Sequence, residues 1–176
     1  MSADLKQRYQ EAADTVISGM GPDALAAWHN TAVSTHFFAS IKDVDAKFKE
    51  LKAEKGETAG KGTTPAFTDV TGGKAEFYIN GGRDTPGNPA KAAFTANYYA
   101  HEFAHAVDLH AGYSQKQEWH EAWKADREYI ATAMGRKTED PKEAFCDFAA
   151  HAWTDRTGAR NGAPQSWNAW TQWGLV

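Results

Sequence analysis

Tyr98-Tyr99-Ala100-His101-Glu102-Phe103-Ala104-His105-Ala106-Val107-Asp108 is the stretch that decides how this chain folds. Apolar side chains cover most of the helix circumference here (Phe94, Tyr98, Tyr99, Phe103, Ala104, Val107 and Leu109), so the spacing predicts a helix buried on nearly every side. His101, Glu102 and His105 interrupt it in the pattern HExxH. The two histidines stand one turn plus about 40° apart, so both imidazoles can meet one ion. Chance produces HExxH on ordinary surface helices, where all three polar side chains are merely solvated. Buried neutral imidazoles without partners would cost stability, so the apolar flanks favour metal ligation, with zinc as the expected ion. Glu102 points about 100° away from His101. It is poorly placed to join the same ligand set, but it can reach a water on the metal's open position, which is the place of a general base.

A catalytic zinc commonly takes three protein ligands, so a third donor is needed downstream. The pattern HExxHxxGxxH fails, because Asp108 and Ala111 stand where Gly and His are required, and His110 misses its slot by one. Asp108 shares the His101 face about 10 Å further along the axis, which suits orienting an imidazole or holding a neighbouring helix. Glu143-Ala144-Phe145-Cys146-Asp147 offers one carboxylate to the metal and, a turn later, Asp147 to accept an imidazole N–H. Glu143 is therefore the expected third ligand, with Glu139 as its competitor. Asp140-Pro141-Lys142-Glu143 also reads as a helix start, with a cap, a proline at the first position and an acid at the third. His151 extends the same face towards the cleft, whereas His29, His36 and His120 have no companion ligands. Cys146 is the single cysteine, which excludes an internal disulfide, and it reads as a small buried thiol.

Outside this region the pattern is mainly helical. Apolar residues recur at helical spacing from Asp4 to about Ser18, where Gly19 and Gly21-Pro22 end the run, then from Ala24 to Trp28, and again from about Asp43. Residues 66–70 and 75–79 are β-favouring and are joined by Thr71-Gly72-Gly73-Lys74, a hairpin signal and the one convincing strand pair. Asn88 is placed to cap the long helix and Pro89 to open it, and Gly112 follows its end. Two further helices are expected from about Gln115 to Met134 and from Pro141 to Thr154, before a tail in which Trp167, Trp170 and Trp173 form a helical stripe. The expected class is α+β, predominantly helical, with a small sheet beside the central helix, in one domain over residues 1–176.

Nineteen basic and 23 acidic residues give a net charge of −4 with no basic stripe, so nucleic acid is not an expected partner. No run approaches the ~20 apolar residues of a membrane span, and Met1-Ser2-Ala3-Asp4-Leu5 lacks the basic-then-apolar order of a secretory signal. The chain reads as soluble.

His101-Glu102-Phe103-Ala104-His105-Ala106-Val107-Asp108, followed by Ala111-Gly112-Tyr113, resembles the helix of the anthrax lethal factor-type zinc metallopeptidases. Glu143-Ala144-Phe145-Cys146-Asp147-Phe148 is similar to their third-ligand helix, and the likeness covers roughly residues 98–153. The resemblance implies a zincin fold and hydrolysis of a peptide or protein substrate, with a toxin or effector role by analogy. It also implies that substrate lies extended along an edge strand above the zinc helix, a role that falls here to Phe77, Tyr78 and Ile79. These relatives carry an oxyanion-steadying tyrosine shortly before the third-ligand helix, where this chain has Met134-Gly135-Arg136. Tyr113, Tyr129 or an arginine such as Arg136 are the substitutes to consider.

Overall fold

Residues 3–38, 40–60, 62, 64–80 and 89–176 are described by this structure, a computed structural model. Eight α-helices and three strands follow in the order α1 (Ala3–Gly19), α2 (Pro22–Thr31), β1 (Ala32–Phe38), α3 (Ile41–Glu54), β2 (Ala66–Thr71), β3 (Lys74–Asn80), α4 (Pro89–Ala111), α5 (Gln117–Met134), α6 (Pro141–Ala152), α7 (Arg156–Gly162) and α8 (Pro164–Gln172) among the described residues. The class is α+β and mostly helical, as expected. The capping role read for Asn88 and the side chain of Phe94 lie outside the described residues.

β2 and β3 form the expected antiparallel hairpin. Gly72 and Gly73 both have positive φ (59° and 74°), the backbone that a two-residue I′ turn requires and that glycine adopts without steric cost. β1 was not expected. It pairs parallel to β3 on the other side, giving the sheet order β1-β3-β2. Its residues, Ala32-Val33-Ser34-Thr35-His36-Phe37-Phe38, are rich in β-branched and aromatic types. α2 runs straight into it: Ala32 turns extended (φ −68°, ψ 134°) directly after Thr31, with no glycine or proline marking the change.

This sheet order corrects one expectation. β3 is the middle strand, so Phe77, Tyr78 and Ile79 cannot offer a free backbone edge. Phe77 and Ile79 are fully buried, and Tyr78 stacks on Phe67 and His36 with centroids 4.5 and 4.6 Å apart. Among the described residues the edges of the sheet are β1 and β2.

One apolar core runs from Tyr9 to Leu175 with α4 through its middle, and a smaller cluster of Val44, Phe67 and Tyr78 seats α3 against the sheet. Behind α6, Trp119, Phe145, Phe148 and Trp170 interlock, with Phe145 and Trp170 centroids 4.6 Å apart and Phe148 edge-on to Trp170 at 4.9 Å. Of the tryptophan stripe only Trp170 is fully buried, while Trp167 and Trp173 lie at the core margin under Arg156 and Lys116. Gly19 is where α1 meets the end of α6: a Cβ there would stand 2.0 Å from the Trp153 carbonyl oxygen, so only glycine permits the approach. No helix among the described residues is long and apolar enough to cross a membrane.

Candidate metal centre

α4 is anchored by Tyr99, Ala100, Phe103, Ala104, Ala106 and Val107, all essentially without solvent contact. With those faces fixed, His101 and His105 project together towards α6, their ring centroids 5.0 Å apart and nearly perpendicular. α6 begins as its sequence signals. Asp140 caps it by accepting from the Lys142 N–H (2.9 Å), Pro141 takes the first position, and the Trp119 indole N–H donates to the Pro141 carbonyl (2.7 Å). That start places Glu143 in the first turn, facing α4.

The Glu143 carboxylate spans the two imidazoles, Oε2 standing 3.5 Å from His101 Nε2 and Oε1 3.6 Å from His105 Nε2. Donors bound at about 2.0–2.1 Å to a tetrahedral zinc lie roughly 3.3 Å apart, close to each of these two separations, which are made by different oxygens of the one carboxylate. Asp147 Oδ1 approaches His101 Nδ1 at 2.9 Å, off the line of the ring N–H, which makes the pairing chiefly electrostatic. Half-exposed Arg136 donates from Nη2 to Glu143 Oε2 (2.8 Å) and reaches Asp147 Oδ1 (3.4 Å).

Among the described residues, the trio whose ligand atoms all lie within 4.8 Å of one another is His101, His105 and Cys146. The thiol meets a different nitrogen from Glu143: its Sγ lies 3.3 Å from Nδ1 of His105, whereas Glu143 faces Nε2, and complete burial pushes the pKa of the metal-free thiol well up.

The electrostatics divide the two histidines. Burial opposes a charge on His101, but Asp147, Glu143 and Glu102 outweigh it and lift the ring to about 9. At His105, burial together with the neighbouring His101 charge outweighs the support of Glu143 and pushes the ring down to about 3. Glu143 is held at about 2, first by its hydrogen bond with His101.

Glu102 is 4% exposed, and burial raises its pKa against the pull of His101 and Thr68. The Thr68 hydroxyl of β2 donates to Glu102 Oε2 at 2.6 Å. A cleft of about 500 Å³ opens here, walled by β2 through Phe67, Thr68 and Val70 and on the far side by Met134, Arg136 and Lys142. His101, Glu102, His105 and Glu143 all line it.

Several expected roles move. The edge strand on the cleft is β2, one strand away from the one expected. Tyr113 and Tyr129 are not on the cleft: Tyr113 stacks on Phe145 (6.0 Å) and leans on Trp173 (5.3 Å), while Tyr129 packs against His151 (4.4 Å). Arg136 and Tyr98, one turn before His101, do line the cleft. Asp108 orients no imidazole. Its two oxygens accept from the Ser114 N–H (2.6 Å) and hydroxyl (2.7 Å), which ties down the chain after α4. His151 meets the Tyr129 carbonyl and the Thr132 hydroxyl, away from the cleft. Thr68 and Cys146 were not expected at the site: an isolated threonine in a strand carries no signal, and Cys146 read as a small buried thiol, although its i+3 spacing from Glu143 is a signal that could have found it.

Compared with protein-family models, curated proteins and solved structures, the chain matches none of them.

Proposed function

We propose that this chain is a zinc-dependent endopeptidase of the zincin type, with His101, His105 and Glu143 as metal ligands and Glu102 as general base. The observation that carries the reading is the convergence of two imidazole nitrogens and a carboxylate at 3.5 and 3.6 Å, beside a buried glutamate, at a cleft walled by a sheet edge. The resemblance of residues 98–153 to the lethal factor-type enzymes supports the same assignment.

Zinc, when bound, supplies Lewis acidity that lowers the pKa of a water and polarises a carbonyl. The chain's own residues do the rest. Among the described residues β2 has one unpaired edge, which offers backbone N–H and C=O groups to an extended peptide. Glu102 takes a proton from the attacking water and returns it to the leaving amine; burial raises its pKa, which makes it a stronger base than a solvated carboxylate. The Thr68 hydroxyl holds Oε2, leaving Oε1 for that transfer. Asp147 fixes His101 through Nδ1, which leaves Nε2 for the metal. Arg136 places a cation at the cleft, where charge develops on the carbonyl oxygen.

A zinc-binding peptide-interaction module without turnover is the second reading. It is favoured by Arg136, whose Nη2 is already engaged by Glu143 and Asp147 at the position where the similar enzymes carry a tyrosine. Incubating the zinc-loaded chain and Glu102→Gln with an unstructured peptide library separates the two. Cleavage by the wild type and not by the variant is expected. Peptide binding with no cleavage by either establishes the module instead.

A further inference from the structure

α6 serves both histidines of α4 from one face. Glu143, Cys146 and Asp147 stand at i, i+3 and i+4, so their side chains share one side of the helix. Both Nε2 atoms face Glu143, at 3.5 and 3.6 Å. Each ring's other nitrogen meets a partner of its own: Nδ1 of His101 meets Asp147 at 2.9 Å, and Nδ1 of His105 meets Cys146 Sγ at 3.3 Å.

The two partners differ in kind. An ionised carboxylate only accepts a hydrogen bond, whereas a thiol is a weak acceptor and a weak donor. We infer that Cys146 is a positioning residue for His105, accepting Nδ1–H when Nε2 is given to a metal and donating S–H to Nδ1 when the ring proton sits on Nε2. His105 thereby changes tautomer as the metal arrives without losing its neighbour. Cys146 is fully buried, between Phe145 and Asp147 in the chain and against the core, so solvent does not stand in for the thiol. The inference rests on the zinc site proposed above. A direct Cys146–metal bond is the competing assignment, and it would place the ion on the Nδ1 side of His105, away from Glu143.

The test compares the zinc affinity of the full chain, Cys146→Ser and Cys146→Ala by competition with a chelator, with the thermal unfolding of each metal-free protein as a check on folding. Serine keeps both hydrogen-bond roles and is expected to stay within about threefold of the wild type, whereas alanine weakens zinc by roughly 10–100-fold. Ring ¹⁵N NMR of the zinc-loaded wild type, which needs no variant, is expected to show His105 with its proton on Nδ1 and the metal on Nε2. Alanine binding zinc as tightly as the wild type overturns the role of Cys146 and leaves the site intact. Serine losing as much as alanine, or a metal on His105 Nδ1, makes the thiol a ligand and also overturns it. A wild type that takes up no zinc removes the site itself, and the inference with it.

Discussion

Replacing Thr68 by valine removes one hydroxyl from the cleft and keeps the β-branched shape. In the wild type that hydroxyl donates to Glu102 Oε2 at 2.6 Å, within a site where Glu102 is almost wholly buried. A hydrogen bond to a charged group is worth about 1.5–3 kcal/mol, and this one favours only the ionised carboxylate. At 1.36 kcal/mol per unit, its loss raises the pKa of Glu102 by roughly one to two units. The sign follows from the groups already acting there: burial holds the pKa up, His101 and Thr68 hold it down, and Thr68→Val removes one of the latter. The acid limb of kcat/KM should therefore move to higher pH by about one to two units, with a loss of roughly 10–100-fold below it. The plateau above the limb is retained, because a carboxylate with a higher pKa is a stronger base. The assay is the pH profile of cleavage of a fluorogenic peptide, with zinc content measured in parallel. An unmoved acid limb, or an equal loss at every pH with zinc retained, refutes the assignment of Glu102 as the base steadied by Thr68.

His101 sits at about 9 in the arrangement of side chains alone, and a metal ligand must give up its proton, so zinc binding at pH 7 releases at least one proton. Calorimetry in two buffers of different ionisation enthalpy measures it, and no release contradicts the His101–Asp147–Glu143 electrostatics. Asp108→Ala removes both bonds to Ser114 and should cost about 2–3 kcal/mol of stability in urea unfolding. Zinc affinity should be unaltered, and a large loss of affinity would restore Asp108 to the metal site. Arg136→Leu is expected to lower kcat by roughly 10–100-fold with zinc retained, and an unchanged kcat removes Arg136 from oxyanion stabilisation.

The helical half of the site was legible because local rules set it. Apolar positions fixed the faces of α4, HExxH fixed the angular spacing of its polar residues, and the Asp140-Pro141 start fixed where α6 presents Glu143. The sheet was less legible. The β-branched and aromatic residues of β1 are its only local signal, since α2 passes into it without a glycine or proline to mark the boundary, and without β1 the strand β3 reads as an edge. The same omission hid Thr68, whose role depends on β2 lying over Glu102 rather than on any property of residues 66–71. Of the two roles expected of Asp108, orienting an imidazole or holding a neighbouring helix, the structure shows the second. The left-handed Gly112 (φ 62°) turns the chain back, and the ensuing 3₁₀ turn brings Ser114 under the carboxylate. Tyr98, three residues before His101, was within reach of the same periodicity, whereas Tyr113 and Tyr129 were named for their chemistry and belong to the packing behind α6 and around His151.

The central claim is met most directly by counting metal. Purified chain exposed to a mixture of divalent cations and then desalted is analysed by mass spectrometry of its metal content, beside Glu102→Gln and His105→Ala. The predicted result is about one zinc per chain in the wild type and in Glu102→Gln, and none in His105→Ala, because the base lies outside the ligand set and His105 within it. A wild type without zinc, or a His105→Ala variant that holds it as firmly, would contradict the account.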